Sequence, residues 1–159
     1  MFLFAWRLLT LMLVALSMSA AMAHLLELPA KMTFDGALWL TLLQQLYPPG
    51  FGTAGSTAEV GAVISAVALA FLLRPRRAAF RWARARALCV LAAHAAFWIW
   101  VAPVNAALLP LTPQTLPADW ERLRSQWEYT HALRAVLQGL ALAALVVSIL
   151  RELAAERRA

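Results

Sequence analysis

An all-α, four-helix transmembrane bundle is the fold this sequence predicts, on three observations. Of its 159 residues, 63% are hydrophobic and 14% are charged, against about 45–50% apolar and about 25% charged in soluble domains. The apolar residues fall into four runs, each near the roughly 20 residues that a helix needs to cross a bilayer. Arginines gather at the ends of those runs, where they read as topology signals. One bundle then occupies the whole chain, 1–159, as a single integral membrane domain. The net charge of +6 is therefore not a sign of nucleic acid binding. The expected partner is the lipid bilayer, and the sequence is compatible with a homo-oligomer or a second membrane protein.

The first span is expected over roughly 2–28 and the second over 54–73, which stops at Arg74-Pro75-Arg76-Arg77. The third is expected over 87–109 and the fourth over 127–150, which stops at Arg151. The stretch between spans two and three holds Arg74, Arg76, Arg77, Arg81, Arg84 and Arg86, and reads as a cytoplasmic loop. Both termini then also lie inside, in what the pattern suggests is a bacterial inner membrane. Six acids (Glu27, Asp35, Glu59, Asp119, Glu121, Glu128) fall at or near the outer side. The N-terminus has a competing reading, because Ala21-Met22-Ala23 resembles a signal-peptidase site. Cleavage there would make His24 the first residue, able to chelate a metal through its amine and ring.

Between spans one and two, Leu38, Leu42 and Leu46 recur every four residues. They predict a short amphipathic helix on the outer membrane surface, followed by a turn at Pro48-Pro49-Gly50-Phe51-Gly52. Trp39, Trp98, Trp100, Trp120 and Trp127 fit an outer aromatic belt. The one cysteine, Cys89, excludes an internal disulfide and reads as a small apolar packing residue.

Ionisable groups inside a membrane span are costly and mark candidate sites. His24-x-x-Glu27 and Glu128-x-x-His131 each put an imidazole and a carboxylate on one helix face. By helical rise, His24, Asn105 and His131 reach one layer near the outer end of the bundle, with Glu27, Glu59 and Glu128 nearer the surface. Glu-x-x-His pairs facing each other are how some four-helix bundles hold metals. His24, Glu27, Glu128 and His131 are thus candidate ligands for iron, manganese or zinc, or for copper if imidazoles dominate. The same residues could equally fix helix packing by hydrogen bonds. Arg134 is expected to neutralise Glu27 or Glu128, or to bind an anionic group. His94 lies about 16 Å deeper than Asn105. It shares a face with Trp98, Val101 and Asn105, and suggests a separate deeper site or a proton path. No phosphate loop, hydrolase elbow or nucleotide fingerprint is present.

Three stretches resemble a family of small four-span membrane proteins, the anthrone-oxygenase-like domain. They are Pro103-Val104-Asn105, Trp127-x-x-x-His131-x-x-Arg134 and His24-Leu25-Leu26-Glu27-Leu28-Pro29. Some fungal relatives take part in oxidising anthrones to anthraquinones. The resemblance implies catalytic roles for His131, Asn105 and Arg134, and establishes neither metal nor substrate. The expected function is a membrane oxidoreductase or oxygenase acting on a lipophilic small molecule. The alternatives are a non-enzymatic subunit or scaffold, and a small proton-coupled transport factor.

Overall fold

The computed structural model describes residues 1–156. Among them every regular element is helical: α1 (Phe2–Lys31), α2 (Gly36–Gln45), the π-helix π1 (Tyr47–Gly55), α3 (Ser56–Leu72), α4 (Arg77–Ala96), the π-helix π2 (Phe97–Val101), α5 (Ala102–Leu108), a 3₁₀ turn (Pro113–Thr115) and α6 (Trp120–Glu156). Four continuous helical segments, Phe2–Lys31, Tyr47–Leu72, Arg77–Leu108 and Trp120–Ala154, are long and apolar enough to cross a membrane. They bear out the all-α bundle, and they fit an integral membrane protein with its outward Leu, Val, Ile and Phe side chains toward lipid.

Each span is longer than the apolar run that announced it. The arginine-rich stretch is mostly helix, not loop, and only residues 73–76 form the turn. Arg77 to Ala87 is mostly arginine and alanine, both strong helix formers, and Ala79, Ala83, Arg86 and Ala87 face the interior. Arg86 is fully buried and donates from Nη2 to the Ala66 carbonyl at 3.1 Å.

The two π-helices follow from proline placement. Proline lacks an N–H and crowds the carbonyl four residues earlier; a wider turn relieves both effects. Pro48 and Pro49 lie in the first turn of π1, and Pro103 lies in the first turn of α5, two residues after π2 ends. The expected break at 48–52 is therefore helix that runs on into α3, with Thr53 Oγ1 donating to the Pro49 carbonyl at 2.8 Å. In π2, Gln126 Nε2 donates to the Trp100 carbonyl at 2.9 Å. The wider turn also changes which residues share a face: Val101 is buried in the core, while Trp98 is 61% exposed.

α2 is a cap on the bundle rather than a leucine-faced surface helix. Its buried residues are Trp39, Leu40 and Leu43, and Leu38 and Leu46 point outward. Asp35 caps its first turn by accepting from Leu38 N at 2.8 Å. Gln44 Nε2 ties its far end to the carbonyls of Leu109 and Leu111, at 3.0 and 2.7 Å. Gly36 permits the close seat, since a β-carbon there would lie 2.9 Å from Leu116 Cδ1. Trp39 and Trp127 are consequently core residues at 1% and 2% exposure, and only Trp98 and Trp100 of the expected belt lie open.

α1 and α6 pack antiparallel through a polar seam of period seven. On α1, Thr10, Ser17, His24 and Lys31 are all buried. On α6 the matching positions are Arg124, His131 and Gln138, also buried, and the half-buried Glu152. A seven-residue repeat keeps one stripe of each helix facing its partner. Arg124 Nη1 donates to the Lys31 carbonyl at 3.5 Å, the His24 and His131 rings stack at 4.1 Å, and Ser17 Oγ donates to Gln138 Oε1 at 3.1 Å. Arg7 pairs with Glu152 at the arginine-rich end. Residues before Ala23 pack along α6 through this seam. Cys89 packs against a core of Val14, Ala62 and Val90.

The Ser17–Gln138 layer should show a coupling of about 0.6 kcal/mol in a double-mutant cycle with alanine, by reversible unfolding in detergent. Additive effects would show that the seam does not pair these residues.

Candidate functional site

At the end of the bundle opposite the arginines, two polar clusters meet. The first centres on Lys31, the chain's one lysine beside thirteen arginines. Its ammonium lies 2.7 Å from Glu128 Oε2, 3.4 Å from Glu27 Oε2 and 3.4 Å from His24 Nδ1. Two carboxylates and one imidazole nitrogen thus surround the ammonium. The rings of Tyr47 and Trp127 flank the ammonium, each centroid 5.1 Å away, a stabilising cation–π arrangement. Trp39 Nε1 donates to Glu128 Oε1 at 2.9 Å, and Tyr47 Oη to Glu27 Oε2 at 2.8 Å. Glu128 is fully buried, so its charge depends on these contacts.

The second cluster centres on Arg134. Its Nη2 pairs with Glu59 Oε2, and its Nη1 donates to His131 Nδ1 at 2.8 Å. The guanidinium lies over Phe97, 5.0 Å from the ring centroid. Glu59 Oε1 in turn lies 3.2 Å from His94 Nδ1, and Trp98 Nε1 donates to His94 Nε2 at 3.0 Å. Trp98, His94, Glu59, Arg134 and His131 thus form one continuous network across three spans. Arg134 neutralises Glu59, not Glu27 or Glu128. Its side chain reaches across the bundle interior to Glu59 on α3, and Lys31 already serves the other two acids.

The clusters enclose a cavity of about 390 Å³. Its polar lining comes from His24, His131, Arg134, Glu59, His94 and Asn105, and both π-helices contribute to its wall. His94 shares this cavity and does not serve a separate deeper site, because Glu59 bridges the step in depth. The lining residues Val60, Trp98 and Leu109 are exposed, so the cavity opens sideways between α3 and α5 toward the lipid-facing surface. Trp127 Nε1 donates to Asn105 Oδ1 at 2.8 Å, which leaves the Asn105 amide N–H₂ as a donor.

The hydrogen bonds assign ring protons. Lysine and arginine only donate, so Nδ1 of His24 and Nδ1 of His131 are acceptors and each ring carries its proton on Nε2. Nε2 of His131 is buried and has no partner among the described residues. An unsatisfied buried donor costs about 1–3 kcal/mol.

All six sequence-predicted site residues come together at this end, but not as a metal centre. No group of three or more His, Cys, Asp or Glu side chains among the described residues is placed to hold a metal ion. The lone pairs of His24 and His131 face Lys31 and Arg134, and Lys31 occupies the space between Glu27 and Glu128. The donor set therefore does not fit the iron, copper, manganese or zinc site expected from the spacing. Lys31 and Glu59 are the residues the motif reading missed as site members. The signal for Lys31 was present as a lone lysine seven residues after His24. The search of protein families, curated proteins and solved structures finds no match to this chain.

Removing the charge of Glu128 should be severe. Glu128→Gln leaves Lys31 buried beside the half-exposed Glu27 alone, and should destabilise the fold by about 3–5 kcal/mol. Lys31→Met combined with Glu128→Gln should recover most of that loss in the same thermal unfolding assay. A single variant as stable as wild type would contradict the buried pair.

Proposed function

We propose that this chain is a membrane oxidoreductase or oxygenase-like protein that takes a lipophilic, oxygen-bearing molecule from the bilayer into its side-opening cavity. The unpartnered Nε2–H of His131 carries the reading. Together with the Nε2–H of His24 and the amide of Asn105, it makes the histidine end of the cavity a set of hydrogen-bond donors. A donor set recognises an acceptor, and a carbonyl or phenolate oxygen on an apolar body fits both the lining and the opening. Lys31 and Arg134 stand behind the two imidazoles, so negative charge developing on that oxygen would be stabilised by preorganised dipoles and charges. No metal is needed for this role. The oxidative character comes from the family resemblance of the Pro103–Asn105 and Trp127–Arg134 stretches. The histidine end would face outward, opposite the arginine-rich end.

The packing alternative accounts for the Ser17–Gln138 hydrogen bond and for the Lys31–Glu128 ion pair. Buried arginine nitrogens elsewhere, Arg86 Nε and Arg124 Nε among them, also lack a partner among the described residues; His131 Nε2 is the one carried by an imidazole on the cavity wall.

The test compares 2-tetralone with tetralin, which lacks the oxygen, on protein in lipid nanodiscs. Saturable quenching of tryptophan fluorescence should favour 2-tetralone by about tenfold, the worth of one or two hydrogen bonds. The preference should collapse in a folded His131→Phe variant. Equal binding of the two compounds would refute recognition through the oxygen.

A further inference from the structure

Three imidazoles line the cavity, and their partners give one of them the opposite tautomer. His24 and His131 hold their ring protons on Nε2. His94 is reversed: its Nε2 accepts from the Trp98 indole at 3.0 Å, so its proton is on Nδ1, 3.2 Å from Glu59 Oε1. A neutral imidazole has one lone pair. His94 is therefore the cavity histidine whose lone pair is on Nε2, with Nδ1–H anchored on a carboxylate. That arrangement fixes the tautomer and stabilises the imidazolium formed when Nε2 takes a proton. The group over the lone pair is an indole that is 61% exposed at the open side of the cavity, so it can leave without disturbing the core.

We propose that His94 is the proton-accepting base of the cavity, with Glu59 as its positioning residue and the Trp98 indole as a removable cap. The proposal rests on the reading above, in which the ligand carries an acceptor oxygen. The step is a single proton transfer. A C–H bond next to the ligand's carbonyl breaks and the proton forms an N–H bond at His94 Nε2. The electron pair stays on the ligand and spreads to the carbonyl oxygen, where the donors of His24, His131 and Asn105 meet the charge. Glu59 keeps its negative charge beside the new imidazolium. Nothing is oxidised in this step.

Two measurements on the full chain in nanodiscs test the proposal. Diethyl pyrocarbonate bonds its carbonyl carbon to an unprotonated imidazole nitrogen, and ethyl carbonate leaves. Mass spectrometry reads the modification at His94. Trp98→Phe keeps a ring at the opening and removes the indole N–H. It should speed modification of His94 about fivefold, the effect of losing one hydrogen bond to the lone pair. Trp100→Phe, on the same exposed stretch, should leave the rate unchanged. An unchanged rate in Trp98→Phe would overturn the cap and the tautomer with it. The second measurement follows deuterium uptake next to the carbonyl of 2-tetralone in D₂O. Wild type should exceed the protein-free rate, and His94→Gln should lower that excess by about tenfold or more. Binding of 2-tetralone without exchange, or equal exchange by His94→Gln, would overturn the base. Failure of 2-tetralone to bind would instead overturn the proposed function, and the carbethoxylation rates then decide the His94 assignment alone.

Discussion

Arg134 is a guanidinium inside a membrane-spanning helix, and it cannot stand there without a partner. Glu59 answers it from α3, which packs on α1 and α4 rather than on α6, so the ion pair reaches across the interior of the bundle. The same carboxylate then holds His94, and the same guanidinium holds Nδ1 of His131. One ion pair thereby determines the ring protons of two histidines and joins three spans. Lys31 does the equivalent work on the other side, through Glu128, Glu27 and His24. The cavity lies between these two fixed cations.

Polar residues in this bundle divide by what their hydrogen bonds leave over. Ser17 and Gln138 satisfy each other within the α1–α6 seam, and Trp39 closes the remaining oxygen of Glu128. These contacts set register and hold the α2 cap. Around the cavity the pattern differs. His131 keeps a buried donor without a partner, Asn105 keeps its amide, and His94 keeps a lone pair under an exposed indole. The π-helices produce this difference. By adding a residue to the turn, π2 sends Val101 into the core and Trp98 to the opening, and π1 carries the chain from α2 into the second span along the cavity wall.

Much of the fold was legible in the chain. Four apolar runs announced four spans, helical rise put His24, Asn105 and His131 in one layer, and the resemblance implied roles for Asn105, His131 and Arg134. What was not legible was the partner of each charge. Spacing along one helix places Glu128 beside His131, but whether a cation or a metal fills the space depends on Lys31, which follows Pro29 in the last turn of α1. Glu59 looked peripheral because the apolar run of span two begins near it. The prolines at 48 and 49 start a π-helix there, and that extra length brings Glu59 within the bundle. The heptad of Thr10, Ser17, His24 and Lys31 was present in the sequence. Small hydroxyls in an apolar run do not stand out until α6 supplies the matching positions. The arginine-rich stretch misread as loop shows the converse: charge marks the end of an apolar run, while alanine and arginine together continue the helix.

The central claim is that fixed cations and carboxylates set the three imidazoles in two opposite states. Nitrogen-15 spectra of histidine-labelled protein in nanodiscs near neutral pH, assigned by single-histidine substitutions, test it directly. Protonated Nε2 and bare Nδ1 are expected for His24 and His131, and protonated Nδ1 with bare Nε2 for His94. A bare Nε2 on His131, or a protonated Nε2 with bare Nδ1 on His94, would contradict it.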